Sequence, residues 1–336
     1  MNKANAEFEK LVKFFIIPCS LSYILHKSNL SFNWFLRFIL IPSLLVGVFS
    51  FYDLIMQHSR ESLFYQSIIM QGDMAVLLAV LLISLYSFFN NKILYCLALT
   101  GVLLSAYLSQ TRGAWLALLI VMLCRFFSLY KTHQFSFRIN ILIGCFFLTL
   151  LLLVSQTKMV SKRINEAYSD IATYVDSAKD NGFSSIGVRF ELIRAGLLVF
   201  WEHPLTGVGI GDSKAYFLKH DRYGFISKMV GAKNHYHNDF IQSLALRGIL
   251  NFLALLLIFV SLFYIYWHRQ GDTKDIILLK QTGFYFTLAV LIMGFSIPLL
   301  AGNKGIVVFT MINTCLLYFL KKRISANQAI DFLQRS

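Results

Sequence analysis

Charged residues are scarce in this sequence. Asp, Glu, Lys and Arg make up 14% of the 336 residues, whereas hydrophobic residues make up 57% and the mean hydropathy is +0.62. In a soluble globular domain roughly a quarter of the residues carry charge. The shortage excludes an ordinary soluble protein, and the long apolar runs along the chain indicate an all-α polytopic membrane protein.

Acidic residues are the scarcer of the two charged kinds. The chain has 31 Lys and Arg against 17 Asp and Glu, which gives a formal net charge of +14. The basic residues are scattered at the ends of apolar runs and form neither a stripe nor an RNA-binding motif. We therefore expect no nucleic-acid partner, because membrane orientation and contact with membrane lipids or phosphate explain the charge better.

Cysteine is rare, and no cysteine is paired with another at a motif spacing. All five lie in apolar runs, so the pattern predicts neither a metal site nor a disulfide framework. We interpret them as small core hydrophobes: Cys19, Cys96, Cys124, Cys145 and Cys315. The N-terminus does not resemble a signal peptide, because it mixes both charge signs and no small-residue cleavage site follows the first apolar run.

About nine apolar segments are long enough to be predicted membrane spans. In chain order they are Leu11–Leu25, Trp34–Met56, Ile68–Phe89, Ile93–Leu108, Ala114–Tyr130, Ile139–Val154, Ile249–Trp267, Phe284–Leu300 and Ile306–Leu320. The chain thus divides into N-terminal transmembrane helices (1–154), a large external loop with amphipathic helices (155–238), and C-terminal transmembrane helices with a short cytoplasmic tail (239–336).

Basic residues orient these spans, because positively charged loops stay in the cytoplasm. The tail Lys321–Arg323 and the segment His268–Lys280 are predicted to be cytoplasmic, which places loop 155–238 and the turn Gln110–Gly113 outside. The side of the N-terminus stays open. Nine spans place it outside, whereas the three lysines before residue 14 favour the inside.

The external loop contains two predicted helices. Apolar residues recur at three- and four-residue spacing from Val160 to Tyr174, with charged residues between them, which is typical of an amphipathic helix on a membrane surface. A second helix is predicted from Val188 to His203, where Pro204 ends it. The glycine-rich segment Gly207–Asp212 lacks the spacing of a dinucleotide-binding motif and is interpreted as a tight turn.

The stretch Asn234–Phe240 concentrates polar and titratable groups directly before a membrane span. His237 precedes a predicted helix, Phe240–Leu246, for which Asn238 and Asp239 are the expected N-caps. The positive end of a helix disfavours a protonated imidazole, and a neutral histidine can accept a proton from a hydroxyl.

Two other interpretations of this stretch remain open. One is that His237 is a structural histidine at the interface. The other is that it binds a metal with His235, although no third ligand has a convincing spacing. If His237 is instead a base, then His235, Asn238 or Asp239 is expected to hold its ring.

Two arginines share the external side with His237. Arg112 follows a span and begins a tight turn, and Arg189 lies at the start of the second loop helix. A guanidinium can grip a phosphate through two parallel hydrogen bonds. The alternatives are a snorkelling anchor for Arg112 and a solvated helix residue for Arg189. Lys304, also external, is expected to add positive charge, and together these residues predict a site for a phosphate-bearing lipid.

Several passages, in this order and spacing, resemble the O-antigen ligases of Gram-negative bacteria. That superfamily also contains O-antigen polymerases and protein O-oligosaccharyltransferases. The resemblance extends over roughly Ser67–Leu320. The passages are Ser109–Arg112, Arg163–Ala167, Ser185–Arg189 with the helix to Pro204, and His235–Asn238 with Gly248. One departure is Asn251, which stands where the family usually has Gly, Thr or Tyr.

The resemblance implies a GT-C-like membrane glycosyltransferase in the bacterial inner membrane with its active site facing the periplasm. Such an enzyme transfers a glycan from undecaprenyl diphosphate to the lipid A-core oligosaccharide of lipopolysaccharide, without metal or cofactor and with inversion at the anomeric carbon. By resemblance, His237 is the general base, and Arg112 and Arg189 bind the diphosphate. Asp73 and Arg60, near the outer ends of earlier spans, are weaker candidates for contact with the acceptor.

Other functions remain open at this point. An O-antigen or polysaccharide polymerase uses the same donor but extends a second lipid-linked glycan. A membrane transporter would need broken helices and paired repeats. Arg37 and Asp53 in the second span leave room for a transporter, but only Pro18, Pro42 and Pro298 interrupt spans and no internal repeat is visible. An inactive assembly factor would not need the three candidate residues.

Overall fold

The computed structural model describes residues 3–56, 67–131, 157–176, 185–209, 216, 235–268, 271 and 273–335. Within these residues the chain is helical and contains no strand, which confirms the all-α prediction. The helices are α1 (Lys3–Ser28), α2 (Phe32–Ile55), α3 (Ile68–Ser84), α4 (Lys92–Ser109), α5 (Arg112–Lys131), α6 (Lys158–Asp176), α7 (Ser185–Glu202), α8 (Asp239–His268), α9 (Lys274–Gly294) and α10 (Asn303–Arg335).

Among the described residues, 5 helices are long and apolar enough to cross a membrane: α2, α4, α8, α9 and the part of α10 up to Ala329. The shorter apolar helix α3 covers most of the predicted span Ile68–Phe89. The predicted spans Leu11–Leu25 and Ala114–Tyr130 lie in helices α1 and α5, and Ile139–Val154 lies outside the described residues. The membrane prediction is thereby supported, whereas the count of nine spans stays a prediction.

The most buried of these spans, α9, occupies the centre of the helix bundle. It packs against α3, α5, α8 and α10, and its residues Phe286, Ala289 and Met293 are fully buried. Helix α2 packs mainly on α4, where Gly47 and Gly101 allow the two backbones to approach closely. The apolar residues of α2 and α8 that face away from the bundle are largely exposed, as expected for helices that face lipid.

The predicted span Phe284–Leu300 is wrong in its bounds, since α9 begins at Lys274 and ends at Gly294. The polar residues in the first half of α9 are predicted from sequence to belong to a cytoplasmic loop. They are instead helical, and two of them form side-chain contacts with other helices. Asp275 pairs with Arg323 at 3.2 Å, and Gln281 donates a hydrogen bond to Ser128.

The predicted short helix Phe240–Leu246 and the predicted span Ile249–Trp267 form one helix, α8, with a kink at Gly248 (φ 72°, ψ −169°). The segment after α7 supplies hydrogen bonds at this kink. The Ile249 N–H donates to the carbonyl of Pro204 at 2.8 Å, and the N–H groups of Val208 and Gly209 donate to the carbonyls of Ala245 and Leu246. The glycine-rich turn therefore fixes the bend in α8; its residues 210–212 lie outside the described residues.

Helices α1 and α10 run parallel to each other. The ring of Phe14 lies 6.3 Å from that of Phe309, and further along His26 lies 5.1 Å from Tyr318. Past the end of α1, Lys322 donates to the side chain of Asn29 at 2.6 Å. The two helices therefore start at the same end of the bundle. This favours placing the start of α1 on the same side of the membrane as the start of α10.

Candidate functional site

One end of the bundle, here called the site end, gathers the starts of α3, α5, α8 and α10. Gly72 of α3 packs against Ser109 and Thr111 in the turn between α4 and α5. Gly113 of α5 packs against Ser296, just past the end of α9. The predicted turn Gln110–Gly113, which contains Arg112, is thus in direct contact with the residues just after α9.

The turn between α4 and α5 has an unusual backbone. Gln110, the C-cap of α4, lies in the left-handed region with φ 52°, a conformation that L-residues other than glycine seldom adopt. The buried hydroxyl of Ser109 accepts a hydrogen bond from the Thr111 N–H at 3.3 Å. These contacts place Arg112 at the first position of α5.

Helix α6 holds this turn through charged side chains. Arg112 lies 3.3 Å from a carboxylate oxygen of Glu166 and 3.6 Å from one of Asp170. Arg163 donates to the side-chain oxygen of Gln110 at 3.0 Å and also binds Glu166. We call Gln110, Arg112, Arg163, Glu166 and Asp170 the turn clamp.

The electrostatic environment of Glu166 reflects this clamp. Partial burial raises the pKa of its carboxyl. The hydrogen bond from Arg163 and the positive charges of Arg163, Lys162 and Arg112 together lower the pKa by more than burial raises it, so the net shift is downward. Sequence reasoning noted Arg163–Ala167 as a family passage but missed the two acidic partners of Arg112. Their four-residue spacing on one face of an amphipathic helix was the available signal.

Arg189 of α7 lies in the same electrostatic environment as Arg112. Burial lowers the pKa of Arg189, the positive charge of Arg112 lowers it further, and the negative charge of Asp73 opposes both effects. A guanidinium stays protonated at neutral pH despite such a shift. The charges of the two predicted arginines and of Asp73 in α3 therefore act on one another.

The segment His235–Asn238, here called the histidine strap, is anchored by a tyrosine. Tyr236 is 2% exposed and packs against Gly196 of α7, and its N–H donates to the Gln242 side chain at 2.9 Å. His237 is half-buried and has φ 54°, the second left-handed residue at the site end. Its ring contacts that of His235 edge to face, with 4.1 Å between the centroids.

Asn238 behaves as predicted. Its side-chain oxygen accepts hydrogen bonds from the N–H groups of Phe240 and Ile241, at 2.8 and 3.1 Å, and so caps α8. Its amide nitrogen donates to the carbonyl of Phe295 at 3.3 Å. The histidine strap is thereby tied to the same end of α9 that contacts α5.

Asp239 has a different role from the predicted one. It does not cap α8; its carboxylate accepts the N–H groups of Leu300 (2.9 Å) and Ala301 (3.0 Å) in the loop between α9 and α10. The hydrogen bonds of Asn238 and Asp239 do not reach the His237 ring, so His235 is the predicted supporting residue that contacts it.

The remaining predicted residues have simpler positions. Lys304 is exposed in the first turn of α10, at the site end. Asn251, the departure from the family pattern, donates to Ser243 at 2.6 Å across the kink of α8. Arg60 lies outside the described residues. Among the described residues, no third His, Cys, Asp or Glu joins His235 and His237 in a group suited to a metal ion.

A narrow cavity of about 140 Å³ lies beside the kink of α8. Its polar side chains all come from the part of α8 nearest the site end, whereas its apolar side chains come from α1, α8, α10 and the loop before α10. The polar ones are Asp239, Gln242, Ser243, Arg247 and Asn251, and the apolar ones include Phe14, Leu255 and Ile258.

These features define a helical membrane protein in which the turn of Arg112 and the histidine strap, distant in sequence, both contact the end of one central helix. Comparison with known proteins shows what the chain is similar to. The family model described as O-antigen ligase matches residues 94–256, a range that includes Arg112, Arg189 and His237.

Two curated proteins are similar to the chain. An O-antigen ligase of Escherichia coli (strain K12) is 26% identical over 234 residues, which cover 68% of this chain and 54% of the ligase. An uncharacterized protein of Haemophilus influenzae is 29% identical over 204 residues, which cover 58% and 50% of the two chains. The chain thus spans about half the length of the curated relatives it matches. Over the part that these matches cover, the chain is similar to O-antigen ligases.

Proposed function

We propose that this protein is a glycosyltransferase that moves a glycan from undecaprenyl diphosphate to the lipid A-core oligosaccharide on the periplasmic face of the bacterial inner membrane. The observation that carries the proposal is that the charges of Arg112 and Arg189 act on one another, and that the turn of Arg112 lies at the same end of the bundle as the histidine strap. Similarity to O-antigen ligases supports the same class of reaction.

In the proposed reaction His237 accepts the proton of an acceptor hydroxyl. The hydroxyl oxygen then attacks the anomeric carbon of the donor sugar, and the bond from that carbon to the diphosphate oxygen breaks. A single displacement of this kind inverts the anomeric carbon. Arg112 and Arg189 bind the diphosphate and stabilise the negative charge that develops on it as it leaves.

The lipid part of the donor has a matching surface in this proposal. The cavity beside the α8 kink is polar toward the site end and apolar toward Leu255 and Ile258. A lipid with a charged head and a long apolar chain fits such a gradient. We expect its isoprenoid chain to lie along this part of α8.

Reconstitution of the purified protein with a lipid-linked glycan and lipid A-core tests the proposal. The expected product is glycosylated core, and His237→Ala is expected to lower turnover by roughly 10²–10⁴-fold while the donor still binds. His268, at the opposite end of α8, provides a matched control, since His268→Ala is expected to leave turnover unchanged.

Other outcomes would exclude the proposal. Growth of the glycan on its carrier, with no glycosylated core, identifies a polymerase instead. Full turnover in His237→Ala would eliminate the histidine as the base, and movement of the lipid-linked glycan across the bilayer without transfer would indicate a transporter.

A further inference from the structure

Helix α3 carries a buried carboxylate that the proposed reaction does not use. Asp73 is 0% exposed, and among the described residues neither of its carboxylate oxygens has a hydrogen-bond donor. An ionised side chain is expensive to bury in a membrane protein without compensation, and such groups usually mark functional sites. The surroundings of Asp73 show what compensates it.

Close packing fixes the position of Asp73 beside the turn between α4 and α5. The preceding residue, Gly72, touches Ser109 and Thr111, and a Cβ atom at this position would clash with both side chains. One residue earlier, Gln71 donates to Ser105 of α4 at 3.2 Å. These contacts set the rotation of α3 against α4 and bring Asp73 to the turn that leads into Arg112.

The two arginines have different acidic neighbours. Arg112 has Glu166 and Asp170 of α6 as ion-pair partners. Arg189 forms no hydrogen bond or ion pair with a described residue, but it experiences the negative charge of Asp73 and the positive charge of Arg112. Two neighbouring guanidinium groups repel each other, and the carboxylate of Asp73 offsets part of this repulsion at Arg189.

We propose that Asp73 is a positioning residue that holds the Arg189 guanidinium beside Arg112, and thereby sets the affinity of the site for a lipid diphosphate. This inference rests on the proposed function of the two arginines. Asp73 does not touch the reacting atoms; it acts through Arg189.

The test is a double-mutant cycle on the full-length protein. Asp73→Asn removes the charge and keeps the shape, and we expect the KM for the lipid-linked donor to rise about tenfold with kcat changed much less. In an Arg189→Ala background the same substitution is expected to have no further effect. Asp73→Glu, which restores the charge, is expected to recover part of the affinity.

A matched control comes from α2. Asp53 is also buried, and its Oδ1 also lacks a donor among the described residues, but it lies in α2 and forms no ion pair with either arginine among those residues. Asp53→Asn is expected to leave the donor KM unchanged. The proposal is overturned if Asp73→Asn behaves like Asp53→Asn. It is also overturned if Asp73→Asn weakens the site equally with and without Arg189, which is the result of a purely structural role.

Binding of undecaprenyl diphosphate alone separates this inference from the proposed function. If wild-type protein binds this lipid but transfers no glycan, and Asp73→Asn weakens binding about tenfold, then the positioning role stands and the transfer reaction is excluded. If Asp73→Asn does not fold, Asp73→Glu decides: donor affinity that falls with Arg189 present and is unaffected without it supports the role, and any other pattern rejects it.

Discussion

His237 and Gln110 share a backbone conformation that most side chains avoid. Both have positive φ, 54° and 52°; His237 is itself predicted to carry the function, and Gln110 lies in the turn that leads to Arg112. Surrounding contacts must maintain such conformations: the buried Tyr236 does so on one side, and Arg163, which binds the Gln110 side chain, does so on the other. The site therefore consists of short turns that depend on their neighbours for their shape.

Asp239 is one such neighbouring residue, and its contribution to stability can be tested by a single substitution. Its carboxylate accepts the N–H groups of Leu300 and Ala301. Asp239→Asn removes the charge and one acceptor oxygen, and should lower the free energy of unfolding by about 1.5–3 kcal/mol, as for hydrogen bonds to charged groups. Thermal unfolding in detergent measures the loss.

The control for this prediction is Asp275, which forms a largely exposed ion pair with Arg323. Exposed pairs contribute roughly 0–1 kcal/mol, so Asp275→Asn is expected to change the midpoint little. Equal midpoints for Asp239→Asn and wild type would contradict the role of Asp239 in fixing the loop between α9 and α10.

The two residues after His237 show what sequence can and cannot predict at this scale. Asn238 was correctly predicted as a helix cap because its partners, Phe240 and Ile241, are close in sequence. Asp239 was wrongly assigned the same role, because its partners Leu300 and Ala301 lie in a loop that only folding brings near. Local hydrogen bonds can be inferred from spacing, whereas long-range ones cannot.

The same difference between local and long-range signals holds for whole helices. The amphipathic spacing that predicted α6 and the proline that ended α7 are local signals, and both helices form as predicted. The start of α9 was missed because its charged residues suggested a loop, and Arg323, the partner of Asp275, is remote in sequence. The kink at Gly248 likewise depends on the carbonyl of distant Pro204.

We expect the turn clamp to make the attachment of α6 to the start of α5 sensitive to pH. The folded pKa of Glu166 lies below its ordinary value of 4.5. A carboxyl with a lowered folded pKa stabilises the fold above its unfolded pKa, and this contribution is lost as the pH falls through the folded pKa. We therefore expect α6 to stay against α5 at neutral pH and to loosen below the ordinary value.

Distances between spin labels test this expectation. Labels at the exposed positions Ser169 and Leu116 are expected to show a narrow distance distribution at neutral pH and a broader one in acid. Glu166→Gln is expected to be broad at neutral pH already and to respond little to acid. A control pair at Leu45 and Leu97, on α2 and α4, is expected to be insensitive to pH. A distribution for Ser169 and Leu116 that is narrow in acid would argue against the clamp.

At the scale of the molecule, every described site residue lies at the end of the bundle where α10 starts. The central helix α9 makes this possible, because the residues just after it contact both α5, through Gly113, and the histidine strap, through Asn238. The opposite end carries the basic tail after α10, with Lys322 bound to Asn29. Site and basic tail thus occupy opposite ends of one bundle.

This separation leads to a prediction about membrane orientation. Basic segments favour the cytoplasm, so the tail end is expected inside and the site end outside. In a protein whose native cysteines are replaced by serine, Lys304→Cys is expected to react with a membrane-impermeant maleimide applied to intact spheroplasts. Lys322→Cys is expected to react only after permeabilisation, as is Asn91→Cys, which precedes α4 at the tail end.

The labelling pattern also decides whether a periplasmic reaction is possible. An undecaprenyl-linked glycan and lipid A-core can meet on the outer face only if Arg112, Arg189 and His237 open to that face. Reaction of Lys322→Cys from outside, with protection of Lys304→Cys, would place the three residues on the cytoplasmic face and rule out the proposed transfer. Reaction of both from the same side would contradict the separation of the two ends, because α10 would then not cross the membrane.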